Sequence, residues 1–238
     1  MSPPPPPPHL TVVVPAYNEA ERITVMLDEA VDHLAAAAYP SELLVVDDGS
    51  TDATADLVTA YAVRRSSSHV AVRLLRQTPN AGKGAAVRAG AAAASGAWVL
   101  MADADGATRF ADVDALFAAA TAAGADAACG FKLYSAAAAV AAFRGQQLTR
   151  WAFDVENLYR VQAAGMRVVE VPVAWTEIPG SKMGSLARVC VRMLADVMRM
   201  RWAYATGQWT LPSRGTRTAP GTLEPPRRGG LAAAGYTQ

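Results

Sequence analysis

Ala97-Trp98-Val99-Leu100-Met101-Ala102-Asp103-Ala104-Asp105-Gly106 is the stretch whose reading decides the fold. Its first half is an apolar run that reads as a buried strand. Where that strand ends, two carboxylates stand one residue apart. Side chains alternate on an extended strand, so the two converge only if the backbone turns there. Gly106 permits such a turn. A strand-end Asp-x-Asp suits a hard divalent cation, and such a cation also grips a diphosphate. Asp and Gly make ordinary turns as well, so the neighbouring stretches must arbitrate.

Upstream, the same pattern recurs. Leu10-Thr11-Val12-Val13-Val14-Pro15 is a β-branched run that suits a buried strand, and Pro15-Ala16-Tyr17-Asn18-Glu19 is the loop after it. From Ala20 to about Ala37, Ile23, Met26, Leu27, Ala30, Val31 and Leu34 recur at helical spacing. Leu43-Leu44-Val45-Val46 is a second strand, followed by Asp47-Asp48-Gly49-Ser50-Thr51-Asp52; Ser50 or Thr51 is expected to cap the next helix, which runs to about Val63. Val70-Ala71-Val72-Arg73-Leu74-Leu75 is a third strand. Asn80-Ala81-Gly82-Lys83-Gly84 opens an alanine-rich helix that Gly96 is expected to close.

Four strands alternate with three helices, which predicts an α/β fold with a mostly parallel sheet, right-handed crossovers and helices on both faces. Ligands of such sheets bind outside the carboxyl ends of the strands. The polar clusters at 15–19, 47–52 and 103–105 each follow a strand and should therefore meet on one edge. Each alone reads as a turn or cap; three at one topological position predict a shared crevice. The first loop has no G-x-G-x-x-G and the chain no G-x-x-x-x-G-K-[ST], so neither common nucleotide fingerprint is present. Lys83 reads as a solvated lysine at a helix start.

The bulk numbers set limits. The 238 residues are 52% hydrophobic and carry a formal net charge of +1, enough for one sizeable core and too little charge to draw the chain to nucleic acid. Two cysteines, Cys129 and Cys190, make no disulfide framework, which suits the reducing side of a membrane. No apolar run reaches the roughly 18 residues of a spanning helix, and Met1-Ser2 with the prolines Pro3 to Pro8 has no signal-like apolar centre. The division expected is a proline-rich tail at 1–9, one domain at 10–210 shortened internally near 124–130, and a disordered tail at 211–238 rich in Pro, Gly and Arg. The histidines, His9, His33 and His69, read as surface residues.

Taken in order, Val13-Val14-Pro15-Ala16-Tyr17-Asn18-Glu19, Val45-Val46-Asp47-Asp48-Gly49-Ser50-Thr51-Asp52 and Asp103-Ala104-Asp105 resemble the inverting glycosyltransferases of family 2, with the type A nucleotide-sugar fold. Asn80 to Arg88, Asp103 to Thr108, Cys129-Gly130-Phe131-Lys132-Leu133, Arg150 to Glu156 and Trp175 to Lys182 narrow the resemblance to members that move glucose from UDP-glucose to dolichyl phosphate for protein N-glycosylation. The likeness covers about residues 10–210. It implies that Pro15, Tyr17 and Glu19 line a nucleoside pocket and that Asp47 and Asp48 hold the uracil. It implies that Asp103, Ala104 and Asp105 face the ribose and a diphosphate held by Mg2+ or Mn2+, with Asp103 and Asp105 as metal ligands. Lys182 would approach phosphate, and Lys132, Asp154 and Glu156 would face the sugar and acceptor. An endoplasmic reticulum membrane, at its cytosolic face, is the implied place. Transfer of mannose from GDP-mannose to a polyprenyl phosphate, and a non-catalytic nucleotide-binding module, are the competing readings.

The chain departs from that family at two places. A proline run stands where members usually carry a hydrophobic anchor. Members also have a strand ending in Gly-Ser-Arg and then membrane-proximal helical segments before Cys-Gly-Phe-Lys-Leu; here Gly124-Ala125-Asp126-Ala127-Ala128 runs almost directly into Cys129-Gly130-Phe131. An arginine expected on the diphosphate is absent, and the loss is expected to bare apolar surface and remove positive charge from the site. Trp151 and Trp175 read as core. Arg167 to Trp175, with its internal Pro172, reads as an edge strand. Ser185 to Ala205 reads as an amphipathic helix, with Arg188, Arg192 and Arg199 beside Met and Trp, that suits either a membrane interface or packing on the sheet.

Overall fold

Runs that are apolar on both faces must be covered on both faces, and the alternating helices supply the cover. In the computed structural model, which describes residues 7–129, 131–176 and 186–213, these runs form one sheet. Its strands are β1 (Leu10–Ala16), β2 (Ser41–Asp48), β3 (Val70–Gln77), β4 (Trp98–Met101), β5 (Ala127–Cys129), β6 (Lys132–Ser135) and β7 (Val168–Glu170). Their order is β3-β2-β1-β4-β6-β5-β7. β1 to β4 are mutually parallel, β6 is antiparallel to β4 and to β5, and β7 is parallel to β5.

The period-2 alternation of β1 splits the core. Val12 and Val14 pack with Ile23, Leu27 and Leu34 of α1 (Ile23–Ala36) and with Leu116 of α4 (Val113–Ala123). Val13 points the other way, onto Ala86 and Val87 of α3 (Lys83–Ala93), in the cluster that also holds Phe143 of α5 (Ala136–Phe143) and Phe153 of α6 (Phe153–Ala163). α2 (Thr54–Arg65) places Val58 and Tyr61 in the first cluster.

Several local expectations change. Asp52, rather than Ser50 or Thr51, serves the start of α2: its Oδ1 accepts from Thr54 N at 2.9 Å and Thr54 Oγ1 at 2.5 Å. Gly96 does not cap α3, which ends at Ala94 in extended geometry. Gly96 is instead where the chain crosses Thr11, since a Cβ there would lie 2.6 Å from Thr11 N. The last strand stops at Glu170, before Pro172, so the proline is outside it. His9 belongs to the packed body: its ring lies 4.8 Å from that of Tyr39 and 5.7 Å from that of Phe117.

The last helix, α7 (Leu186–Ala205), is held at its C-terminal end. Arg160, 2% exposed, donates from Nη1 to Tyr204 Oη at 2.9 Å and from Nε to the carbonyls of Ala141 and Ala142. Tyr204 in turn donates to Glu156 at 2.7 Å. Burial pushes the Tyr204 hydroxyl up to about 12, with Arg160 opposing the rise and Glu156 adding to it.

One close approach gives a stability test. A Cβ on Gly90 of α3 would lie 2.3 Å from Val13 Cγ1 and 2.9 Å from Val46 Cγ2. Alanine adds about 1 kcal/mol of helix propensity, but β-branched neighbours have little rotamer freedom to yield. Gly90→Ala is expected to lower stability by about 1–3 kcal/mol, measured by denaturant unfolding.

Candidate functional site

Because β1, β2 and β4 are neighbours and parallel, their carboxyl ends share one edge. The loops there are stitched together by backbone amides. Asn18, in the left-handed region at φ 54°, donates its N–H to Ser50 Oγ at 2.9 Å, while its side-chain oxygen accepts from Thr51 N at 2.8 Å and Asp52 N at 3.3 Å. Glu19 N donates to Thr54 Oγ1 at 2.8 Å. The Glu19 carboxylate holds Arg22 at 2.6 Å. Tyr17 is 40% exposed at this edge.

The acidic pair at the end of β2 is buried. Asp48 accepts from Ala81 N at 2.9 Å and Gly82 N at 2.8 Å, so both its oxygens are committed to the loop before α3. Burial pushes its carboxyl up, the two amides oppose, and Asp47 adds to the rise; the net position is above the usual value. Asp47 accepts from Ser50 N through Oδ1, and its Oδ2, 3.4 Å from Arg76 Nε, has no hydrogen bond. Pro15 is likewise buried in β1. These three residues, expected to line a pocket, are buried, because the strands run further than the apolar pattern suggested and carry them inside.

Asp103 and Asp105 follow β4 directly. Gly106 makes the turn at φ +74°, and Asp105 Oδ1 accepts from Ala107 N at 3.0 Å. Ala104, between them, is 4% exposed and packs into the core, which leaves it no side-chain group to offer. Asp103 Oδ1 lies 2.6 Å from Lys83 Nζ. Lys83 is therefore held by Asp103 rather than solvated, and its ammonium also lies 5.1 Å from the Trp151 ring centroid. Two glycines bring it there. A Cβ on Gly82 would sit 2.6 Å from Thr149 O, and one on Gly84 would sit 2.7 Å from Phe153 Cβ. Only glycine lets α3 start this close beneath the 149–153 segment. The Gly-Lys-Gly spacing was the available signal.

The neighbouring strand adds a second cation. Lys132 opens β6 opposite Met101, and its Nζ lies 3.3 Å from Asp154 Oδ2. Burial pushes the Asp154 carboxyl up, Lys132 and Lys83 pull it down, and Asp103 opposes them; the net position is above the usual value. Glu156, two residues on, turns the other way. It is fully buried and accepts from Gln147 N, Leu148 N and Tyr204 Oη, so it is a structural carboxylate and not an acceptor-facing one. Lys182 lies outside the described residues.

The region expected to be shortened holds an antiparallel strand pair. Ala127 pairs with Tyr134 and Ala128 with Leu133, leaving residues 130 and 131 to join β5 to β6. Phe131 is 5% exposed and packs edge-on against Phe110, so the expected bare apolar surface does not appear at this point. The tryptophans expected in the core are instead open: Trp151 is 42% and Trp175 64% exposed. Trp175 bridges Thr108 next to the acidic loop, an arrangement held by Asp112, which accepts from Ala174 N at 2.6 Å.

The donor set suits a hard cation. Asp103 and Asp105 offer carboxylate oxygens, and Asp103 Oδ1 has no hydrogen bond among the described residues and lies against Lys83 Nζ. Among the described residues no group of three or more His, Cys, Asp or Glu could hold a metal unaided. A cation here would need further oxygens from a bound diphosphate, as is usual for Mg2+ sites.

Residues 11–170 match the family model described as glycosyl transferase family 2. A dolichyl-phosphate beta-glucosyltransferase of Dictyostelium discoideum is 34% identical, with 88% of this chain covering 79% of the relative. The Homo sapiens protein of that name is 35% identical, with 85% of this chain covering 78% of it. The Dictyostelium match spans 261 aligned positions, more than the 238 residues of this chain, so the relative carries stretches with no counterpart here. Among solved structures, the mannosyltransferase PcManGT of Pyrobaculum calidifontis, in complex with GDP-Man and Mn2+, gives a TM-score of 0.60 at 21% identity, covering 89% of this chain and 68% of that one. Glucosyl-3-phosphoglycerate synthase of Mycobacterium tuberculosis, with Mn2+ and UDP-glucose, gives 0.55 at 18% identity, covering 87% and 82%. The fold expected from the sequence, a mostly parallel sheet of the type A class, is the fold found.

The Lys132–Asp154 pair is testable by pH. Lys132→Gln removes a cation that lowers the Asp154 carboxyl, so that carboxyl rises further. A raised carboxyl favours folding below its unfolded value and loses that contribution as pH climbs through the folded one. The variant is expected to lose about 1–2 kcal/mol near pH 7.5 and clearly less near pH 5, compared by unfolding at the two values.

Proposed function

This chain belongs to glycosyltransferase family 2, and from that premise we propose that it transfers glucose from UDP-glucose to dolichyl phosphate. The products are dolichyl β-D-glucosyl phosphate and UDP, the former a donor for protein N-glycosylation, made at the cytosolic face of the endoplasmic reticulum membrane. The observation that carries the reading is the convergence of Asp103 with Lys83, and of Lys132 with Asp154, at the strand edge of a chain about a third identical to dolichyl-phosphate beta-glucosyltransferases.

The chemistry asks little of the protein in proton transfer. A phosphate monoester has a second pKa of about 6, so the acceptor is already nucleophilic near neutral pH. No histidine is required at the site. What the chain must do is hold two anionic substrates in line and neutralise the departing diphosphate. Tyr17 and Glu19 would bound the nucleoside, and the unbonded Asp47 Oδ2 is the acceptor we assign to a base N–H. Asp48 acts by holding the 81–82 backbone beside it. Asp103 and Asp105 would hold a divalent cation, whose chemistry is to offset charge on the leaving diphosphate. On such binding Lys83 would exchange Asp103 for phosphate oxygen. Lys132 would meet the acceptor phosphate beside Asp154, and Lys182 would approach phosphate. Attack opposite the diphosphate inverts the anomeric centre.

Radiolabelled transfer tests the reading. Wild-type protein with Mg2+ or Mn2+ should label dolichyl phosphate from UDP-glucose and not from GDP-mannose. Preference for GDP-mannose would favour the mannosyl reading; UDP binding without lipid-linked product would favour a non-catalytic module. Asp105→Asn is expected to lower metal-dependent turnover by at least about 100-fold with an unchanged thermal melt.

A further inference from the structure

Burial along α7 is concentrated at one end, at Met200, Ala203 and Tyr204. With 3.6 residues per turn, Val191, Leu194, Met198 and Trp202 fall on a single stripe on the outward face. They are 70%, 65%, 61% and 61% exposed among the described residues. Arg188, Arg192 and Arg199 line one side of the stripe and Arg201 the other, and all four are exposed. The helix's one acid, Asp196, falls on the opposite side of its circumference from Met198. Large apolar groups are thus presented outward between a row of three guanidinium groups and Arg201, the reverse of a helix that has finished burying its apolar face.

Charge complementarity decides the occupant. A second copy would set these arginines against their own kind. Residues 214–238 of this chain bring four more arginines against a single acid, Glu224. An anionic phospholipid surface meets both features: the apolar stripe enters the headgroup–acyl boundary and the guanidinium groups take lipid phosphates. Trp202 has the amphipathic ring that favours that boundary. Among the described residues no helix is long and apolar enough to cross a membrane. We propose that α7 is a monotopic docking helix that lies in the plane of an anionic leaflet, inserting Val191, Leu194, Met198 and Trp202. The proposal leans on the preceding reading only for its purpose, because a polyprenyl acceptor resides in the bilayer; its evidence is the helix.

The test is co-sedimentation of the full chain with phosphatidylcholine vesicles, with and without phosphatidylserine. Wild type should bind, more tightly with phosphatidylserine. L194E/M198E should retain its circular-dichroism melt and bind at least ~30-fold more weakly. R188Q/R192Q should lose roughly fivefold per arginine on the anionic vesicles. L194E/M198E should still transfer glucose to a water-soluble short-chain prenyl phosphate. Wild-type protein that stays in the supernatant, or L194E/M198E that binds as wild type does, overturns the docking helix. So does self-association by analytical ultracentrifugation that L194E/M198E abolishes. Vesicle binding without any sugar transfer overturns the glucosyltransferase reading and leaves the docking helix standing.

Discussion

The bonds from Ala81 N and Gly82 N to the Asp48 carboxylate set the rest of the site. Asp48 ends β2, and the amides it holds begin α3, so the bonds bring a helix start to the strand edge. An ionised carboxylate accepting two backbone donors is among the stronger neutralisations a loop can offer. From there the geometry follows by contact. Gly82 and Gly84 pass under the Thr149–Phe153 segment, and Lys83 between them reaches Asp103. The carboxylate pair after β4 would otherwise face solvent with its charge unbalanced. The ion pair is partly exposed and so contributes little to stability; its interest is that a stronger ligand can replace either partner.

β5 and β6 form an antiparallel pair close in sequence. The register between β5 and β6 needs only two residues to turn an antiparallel pair. Phe131, beside that turn, is buried, and β5 and β6 keep their place in the strand order. Lys83 and Lys132 are the cations paired with Asp103 and Asp154 at this edge, beside Arg22 on Glu19 and Arg76 on Asp47.

The buried Glu156–Tyr204–Arg160 chain marks a division of labour within α6. Asp154 and Glu156 are two residues apart, about 200° around a helix, and so cannot serve the same surface. Asp154 meets Lys132 beside the crevice, while Glu156 secures the 147–148 backbone and the end of α7. A fully buried carboxylate with three donors is committed; a partly buried one paired with Lys132 and near Lys83 retains room to respond to ligand.

Sequence alone determined the class of fold and the edge where the site lies. Apolar period and strand-end polar clusters are local properties, and parallel strand–helix repeats bring such clusters together with few alternatives. The motifs from Val13 to Glu19, Val45 to Asp52 and Asp103 to Asp105 carried the family as well. Tertiary structure decided which charged groups meet. Lys83 looked solvated, Trp151 and Trp175 looked buried, and Asp154 and Glu156 looked alike. Each was settled by approaches between distant segments: Gly84 to Phe153, Thr108 to Trp175, Glu156 to Tyr204. Such approaches depend on how helices seat on the sheet, which leaves no periodic trace in the chain.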